Sequence, residues 1–234
     1  MTIRVVSTVH SKGWEAYGKG WLDGLHLWPS ETEFVLYAEG FDPGLTWDEI
    51  SPSKEFRSKR TEEVERLAKF KQIHEHYVPP TWTTDVVRWS NKVFASYDAL
   101  YNYEGLAVWL DADCVTFKPI TQEYIRSMLP PGHYMAMFKR VGLPTETGFV
   151  VRDCSHPIHK TFMDTWIRWF ESGSFKSLNQ WCDASTMDAT CRLFEKQGLL
   201  TASLSGEFEK EMNPMDLAPL SNYITHRKGS RKWQ

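Results

Sequence analysis

The chain lacks an apolar run approaching the roughly 18 residues that a membrane-spanning helix needs, so no segment reads as a span. It lacks cysteine pairs. Cys114, Cys154, Cys182 and Cys191 stand far apart, with no C-x-x-C spacing to suggest a zinc or redox site. It shows no signal-peptide pattern in its first residues, so reduced thiols and a cytoplasmic location are the expectation. It also lacks an excess of positive charge: 27 Lys and Arg against 30 Asp and Glu leave a formal net charge of −3. That balance does not advertise a nucleic-acid or anionic-membrane binder, although it leaves room for a small basic patch. No internal repeat, low-complexity tract or linker interrupts the 234 residues, and one domain is expected. Aromatic residues, in contrast, are plentiful, with 11 Trp, 13 Phe and 9 Tyr. They can fill a sizeable core.

Apolar patterning outlines an α/β fold. Residues 3–9 read as a buried first strand. Residues 14–28 place Trp14, Tyr17, Trp21, Leu25 and Trp28 near one helical face, which Pro29 terminates. Residues 33–40 form a second strand. Residues 54–77 are charged and helix-prone, up to Pro79-Pro80. A long helix runs from a cap at Thr83 or Thr84 to a stop at Gly105, directly before a strand at 106–110. Residues 133–139 and 147–153 read as further strands, and 156–172 and 185–197 as helices. The local pairs His74/His76 and His156/His159 lack acidic or thiol partners at ligand spacing, and read as surface or core histidines.

The most informative stretch is VWLDADCV, residues 108–115. An apolar strand ends in two carboxylates, Asp111 and Asp113, which strand alternation puts on one side of the backbone. Two like charges so placed are unfavourable unless a cation or a shared proton relieves them. No Lys or Arg lies within two residues. Hard oxygen ligands at one point suit Mg²⁺ or Mn²⁺ bridging to phosphates. The carboxyl end of a strand is also where open α/β sheets bind ligands. The plain alternative is a pair of solvated acids at a strand-to-turn junction.

VWLDADCVTFKPI resembles the DxD segment of glycosyltransferases of the GT-A fold, in which hhhDxD ends a central strand and binds a divalent metal that carries a nucleotide sugar's diphosphate. The preceding helix is similar as well. Asp85, Arg88 and Lys92 fall at i, i+3 and i+7, near one face, where a cation could meet the nucleotide sugar or form a solvated, salt-bridged face. The tail supplies a second anchor: His226, Gly229, Lys232 and Trp233 match, in order and spacing, the HxxGxxKPW motif of glycosyltransferase family 8. The departure is that no Pro separates Lys232 from Trp233. An imidazole can join two carboxylates on a metal, Gly lets backbone approach a phosphate, and Lys can stabilise a leaving diphosphate.

The resemblance implies a single GT-A domain with a Rossmann-like mixed central sheet flanked by helices. Its nucleotide-sugar part would span about residues 1–118, its acceptor part about 119–220, and its metal- and diphosphate-binding tail 221–234. It implies Mn²⁺ or Mg²⁺ held by Asp111, Asp113 and His226. Thr8, Val9, His10, Asp85, Arg88, Lys92, the Asp111-Ala112-Asp113 segment, Gly148, Gly229 and Lys232 would bind a nucleotide sugar, with UDP as the nucleotide and retention at the anomeric carbon. By position, Glu146, Thr147, Trp181, Asp183 and Asp188 would meet the acceptor, with Asp183, Glu146 and Lys232 as catalytic candidates. A Trp beside an Asp suits a sugar, although Asp183 also reads as a first-turn acid of the helix that follows. The expected acceptor is a glycan, with weak membrane-surface contact open to the basic tail and the tryptophans. Three alternatives stand beside this: transfer to a hydroxylated base in phage DNA, a haloacid-dehalogenase-like phosphatase using DADCVT, and a non-catalytic nucleotide-sugar-binding module.

Overall fold

The computed structural model describes residues 2–44 and 56–227. The chain opens with β1 (Ile3–His10) and a short α1 (Ser11–Gly13), whose first turn His10 caps by accepting from the Gly13 amide at 3.1 Å. A π-helical turn (Trp14–Gly18) leads into α2 (Lys19–Asp23). Next come β2 (Thr32–Glu39), β3 (Phe56–Arg60), α3 (Glu65–Ile73), α4 (Val86–Leu100), β4 (Leu106–Leu110) and β5 (Cys114–Thr116). The remainder is α5 (Gln122–Ser127), β6 (Met135–Phe138), β7 (Glu146–Asp153), α6 (His159–Glu171), α7 (Asp183–Glu195), β8 (Thr201–Ser203) and β9 (Ile224–His226).

Seven strands form one mixed sheet in the order β3-β2-β1-β4-β7-β6-β8. The first four of these are mutually parallel, and β7 runs antiparallel to both β4 and β6. The sheet is covered on both faces, which is why its central strands are continuously apolar rather than alternating. In β4, Ala107 and Trp109 point to a layer built on α3, α4, α6 and α7, with Phe94, Phe162, Trp166 and Phe170. Leu106, Val108 and Leu110 point to the other face, against Trp21, Trp28, Phe34 and Phe149. Truncating a buried aromatic in either layer costs about 3–5 kcal/mol. His159 belongs to this packing: its ring bonds the Leu100 carbonyl at 2.8 Å and the Tyr134 hydroxyl at 3.0 Å. Burial lowers its pKa to about 4.

Three expected elements differ. α4 is capped by Asp85 rather than by Thr83 or Thr84, which lie in a preceding 3₁₀ turn (Trp82–Thr84), and it ends at Leu100, short of Gly105. Residues 14–28 are a broken helix, because the segment must lie close against β5. A Cβ on Gly24 would sit 2.7 Å from the Thr116 carbonyl, and the chain finishes in a 3₁₀ turn (Leu25–Leu27). The apolar face still points inward through Tyr17, Trp21, Leu25 and Trp28. Within the charged stretch before the two prolines, only α3 is a long helix. Phe56–Arg60 instead adds a parallel edge strand to β2, with Phe56 paired to Phe34. Its mostly outward charges (Arg57, Lys59, Arg60) suit a sheet edge that must not pair further.

Candidate active site

The parallel strands β1, β2 and β4 all end along one edge of the sheet. Past Leu110 the chain turns sharply: the Asp111 amide donates to the Gly148 carbonyl at 2.8 Å, and the Cys114 amide to the Asp111 carbonyl at 2.8 Å. β5 then pairs antiparallel with β9, setting Cys114 opposite His226. The Arg227 amide closes the clasp on the Asp113 carbonyl at 2.9 Å. Two residues from opposite halves of the chain thereby meet, with His226 Nε2 3.3 Å from Asp113 Oδ1 and both buried.

The donor set fits a hard divalent cation. Asp113, His226 and Cys114 offer ligand atoms within 4.8 Å of one another. The Cys114 thiol is turned to the Gly148 carbonyl, 3.6 Å away, leaving carboxylate oxygen and imidazole nitrogen as the natural ligands. Room for the imidazole depends on Gly148, where a Cβ would lie 2.9 Å from His226 Cε1. Asp111 opens onto the same cavity.

Asp111 is also tied elsewhere. Its Oδ1 accepts from Lys92 Nζ at 2.9 Å and from Trp109 Nε1 at 2.6 Å. Lys92, from the middle of α4, also donates to the Thr147 carbonyl at 2.7 Å and lies 3.3 Å from Asp183 Oδ2. Thr147 Oγ1 donates to the same Asp183 oxygen at 2.7 Å. Burial disfavours the ammonium, but Asp111 and Asp183 outweigh it and hold Lys92 above its ordinary pKa. The cation absent from the neighbourhood of DxD in sequence is thus delivered by the preceding helix. Lys92 lies buried between two carboxylates rather than on an open helix face.

These groups line a cavity of about 550 Å³. Of the predicted site residues, it gathers Thr8, Val9, His10, Arg88, Lys92, Asp111, Ala112, Asp113, Glu146, Thr147, Asp183 and His226. Four others lie off its wall. Asp85 caps α4, accepting from the Arg88 amide at 3.2 Å. Gly148 sits behind His226. Trp181 packs its ring against Tyr77 and Phe175, at 5.8 and 5.2 Å, so it is not placed to cover a sugar in this cavity. Asp188 faces a neighbouring cavity. Gly229 and Lys232 lie outside the described residues. Sequence reasoning missed Tyr17, Glu39, Trp82, Trp89 and Arg140, all of which line the cavity. The carboxyl ends of β1 and β2 could have signalled Glu39; Tyr17 read as core, because its helix turns that same face to the sheet.

Glu39 ends β2 and accepts from Asn91 Nδ2 at 3.0 Å. Burial lifts its pKa from 4.5 to about 7, against the opposing pull of a Thr8 hydrogen bond, Lys71 and Arg88. Arg140 holds the roof: Nε donates to the Pro144 carbonyl at 2.6 Å and Nη1 to the Met212 carbonyl at 3.0 Å, with Glu146 3.9 Å away. Glu146 itself accepts from the Gly148 amide at 3.0 Å.

No protein-family model and no curated protein matches the chain. Solved structures do. The apo form of mouse xyloside xylosyltransferase 1 superposes with a TM-score of 0.55 at 11% identity, over 87% of this chain and 85% of that one. The apo form of the glycosyltransferase GlyE of Streptococcus pneumoniae TIGR4 gives 0.58 at 12% identity, over 98% of this chain and 55% of that one. A second GlyE structure gives 0.57 at 12% identity, over 97% and 54%. The chain therefore spans about half the length of GlyE. At these identities the likeness is one of fold: a mixed seven-stranded, Rossmann-like sheet of the GT-A type flanked by helices.

Two predictions follow from the charges. Lys92→Met strands Asp111 and Asp183, and should lower stability by about 3 kcal/mol, the low end for a broken buried pair because Asp111 is one-third exposed. Denaturant unfolding at pH 7 checks this, and a loss below about 1 kcal/mol contradicts it. Glu39 has a raised folded-state pKa, so its ionisation opposes folding. The stability it contributes is full below pH 4.5 and is lost as pH rises to about 7. Glu39→Gln should therefore gain on the wild type in thermal midpoint between pH 5 and pH 8; parallel pH profiles contradict the assignment.

Proposed function

We propose that the protein is a metal-dependent glycosyltransferase of the family 8 kind, transferring a hexosyl or pentosyl unit from a UDP-sugar to a glycan with retention. The observation that carries this reading is the β5–β9 clasp, which sets His226 of the tail motif beside Asp113 of the DxD segment at the floor of the cavity. A GT-A-type fold shared with known glycosyltransferases supports it. So does the position of the acids at the carboxyl end of parallel strands.

In this reading Asp111, Asp113 and His226 hold Mn²⁺ or Mg²⁺. Bound there, the ion supplies Lewis-acid stabilisation of the leaving diphosphate and a template for the donor. The residues at the ends of β1 and β2, Thr8, Val9, His10 and Glu39, form the wall that receives the nucleoside. Arg88 and the tail's Gly229 and Lys232 add donors for phosphate oxygens. Asp183 is held by Thr147 and Lys92, which fixes its carboxylate at the cavity wall, where it accepts sugar hydroxyls. Glu146, held by the Gly148 amide, is the second carboxylate at the sugar end. Lys92 is a positioning residue that holds Asp111 and Asp183 at a fixed separation through contacts of 2.9 and 3.3 Å.

The alternatives have less behind them. A phosphatase of the haloacid-dehalogenase type opens its domain with the motif, whereas here DxD closes the fourth strand, beside an antiparallel neighbour. A base in DNA as acceptor draws no support from a net charge of −3. A pure binding module has little use for an acid pair, a histidine and a buried lysine together.

The test is calorimetry of UDP with Mn²⁺. Wild type should bind, while Asp113→Ala and His226→Ala should each weaken binding roughly tenfold or more and retain their circular-dichroism spectra. Binding that is undiminished in both variants, or unaffected by EDTA, contradicts the metal site.

A further inference from the structure

A second cavity, of about 660 Å³, adjoins the first and shares Arg140, Leu143, Pro144, Thr145 and Gln180 with it. Its size falls in the range of small-molecule sites. One wall is α7, which carries Asp183 into the first cavity at its first residue and turns Ser185, Asp188 and Arg192 into the second. Their i, i+3, i+7 spacing puts the three on one helical face. The facing walls are residues 142–145 and the loop 177–180. A molecule filling this space would have one end beside the Thr145–Thr147 segment and Gln180, next to Asp183. It would lie on the side of the cavity away from Thr8 and Glu39.

The lining chemistry is specific in kind. Ser177, Asn179, Gln180 and Ser185 offer uncharged hydroxyl and amide groups, which both donate and accept. The charged groups face one another. Lys139 pairs with Glu195 at 3.2 Å, and Arg140 faces Glu146 at 3.9 Å while donating to two carbonyls. Asp188 accepts from the Thr145 amide at 3.0 Å, and Arg192 and Arg140 are the cations nearest to it in effect. Burial, more than any neighbour, pushes the Asp188 carboxyl above its ordinary value, as expected of an acid enclosed by a pocket wall. Leu143 and Leu178 add apolar surface. Dual-role polar groups, compensated charges and a little apolar wall suit a polyhydroxylated neutral ring system. They do not suit a chain of phosphates, which calls for uncompensated cations.

We propose that this second cavity is the acceptor site and that its occupant is a neutral oligosaccharide, read by Asn179, Gln180 and Ser185. The inference rests on the glycosyltransferase reading above, and the experiment separates the two. Donor turnover without acceptor is followed as Mn²⁺-dependent release of UDP from a panel of UDP-sugars. Transfer is followed with lactose, maltose, cellobiose and xylobiose, and with a single-stranded DNA oligonucleotide carrying 5-hydroxymethylcytosine. Ser185→Tyr should fill the cavity and cut transfer to the accepted disaccharide by roughly tenfold or more, with UDP release within about twofold of wild type. Asn179→Ala, on an exposed loop that tolerates change, should cut transfer about fivefold and guards against misfolding of the first variant. Unchanged transfer in both variants overturns the proposal. So does wild-type UDP release with transfer to no disaccharide, or with transfer to the oligonucleotide alone. Wild type releasing no UDP from any donor would instead sink the glycosyltransferase reading itself.

Discussion

One buried ammonium organises the site. Lys92 reaches from the middle of α4 to Asp111 at 2.9 Å, Asp183 at 3.3 Å and the Thr147 carbonyl at 2.7 Å. These partners come from three different elements: the turn after β4, the first residue of α7, and β7. A buried charge is tolerated only when it is paired and hydrogen-bonded. Once α4 is packed, the other three segments are therefore constrained to converge on it. Without the lysine, two acids would face a shared cavity uncompensated. With it, one acid of the DxD pair is held in position by Lys92 and Trp109, and the other stands beside His226.

The second constraint is the short clasp between β5 and β9. Three residue pairs are weak by themselves. They are supported by the close approach of Gly24, just past the end of α2, and by the Trp28 indole, which donates to Thr116 Oγ1 at 3.0 Å. The clasp brings residues 224–226 back onto the carboxyl edge of the parallel strands, and the missing side chain at Gly148 leaves space for the imidazole. Sheet and tail thus each supply part of one cluster of potential ligand atoms. Arg140 then ties the 139–147 segment to Met212 above it, so the roof and both cavities share a fixed wall.

Much of this was legible in the residues. The central strands announced themselves as apolar runs because both faces of the sheet are covered. DxD stood out because it follows such a run, and His226 because of its motif context. What escaped was what depends on distant partners. Phe56–Arg60 looks helical by composition and becomes a strand because β2 offers it a free edge. β5, β8 and β9 are three residues each, too short to show a period. Lys92 reads as one of several charges on an amphipathic helix; nothing local reveals that its face is turned inward onto two acids. Trp181 shows the opposite case. Its place beside Asp183 suggested a sugar platform, yet its ring is occupied by Tyr77 and Phe175, while the exposed Trp82 and its neighbour Trp89 line the cavity instead.

The measurement that bears most directly on the central claim needs no acceptor. Most glycosyltransferases hydrolyse their own donor slowly, so the protein can be incubated with Mn²⁺ and a panel of UDP-, GDP-, ADP- and CMP-sugars and assayed for free nucleotide. The account predicts slow release from a UDP-sugar, abolished by EDTA and restored by Mn²⁺. No release from any donor, together with cleavage of p-nitrophenyl phosphate, would contradict it. Asp111 would then be a phosphatase nucleophile rather than part of a metal site.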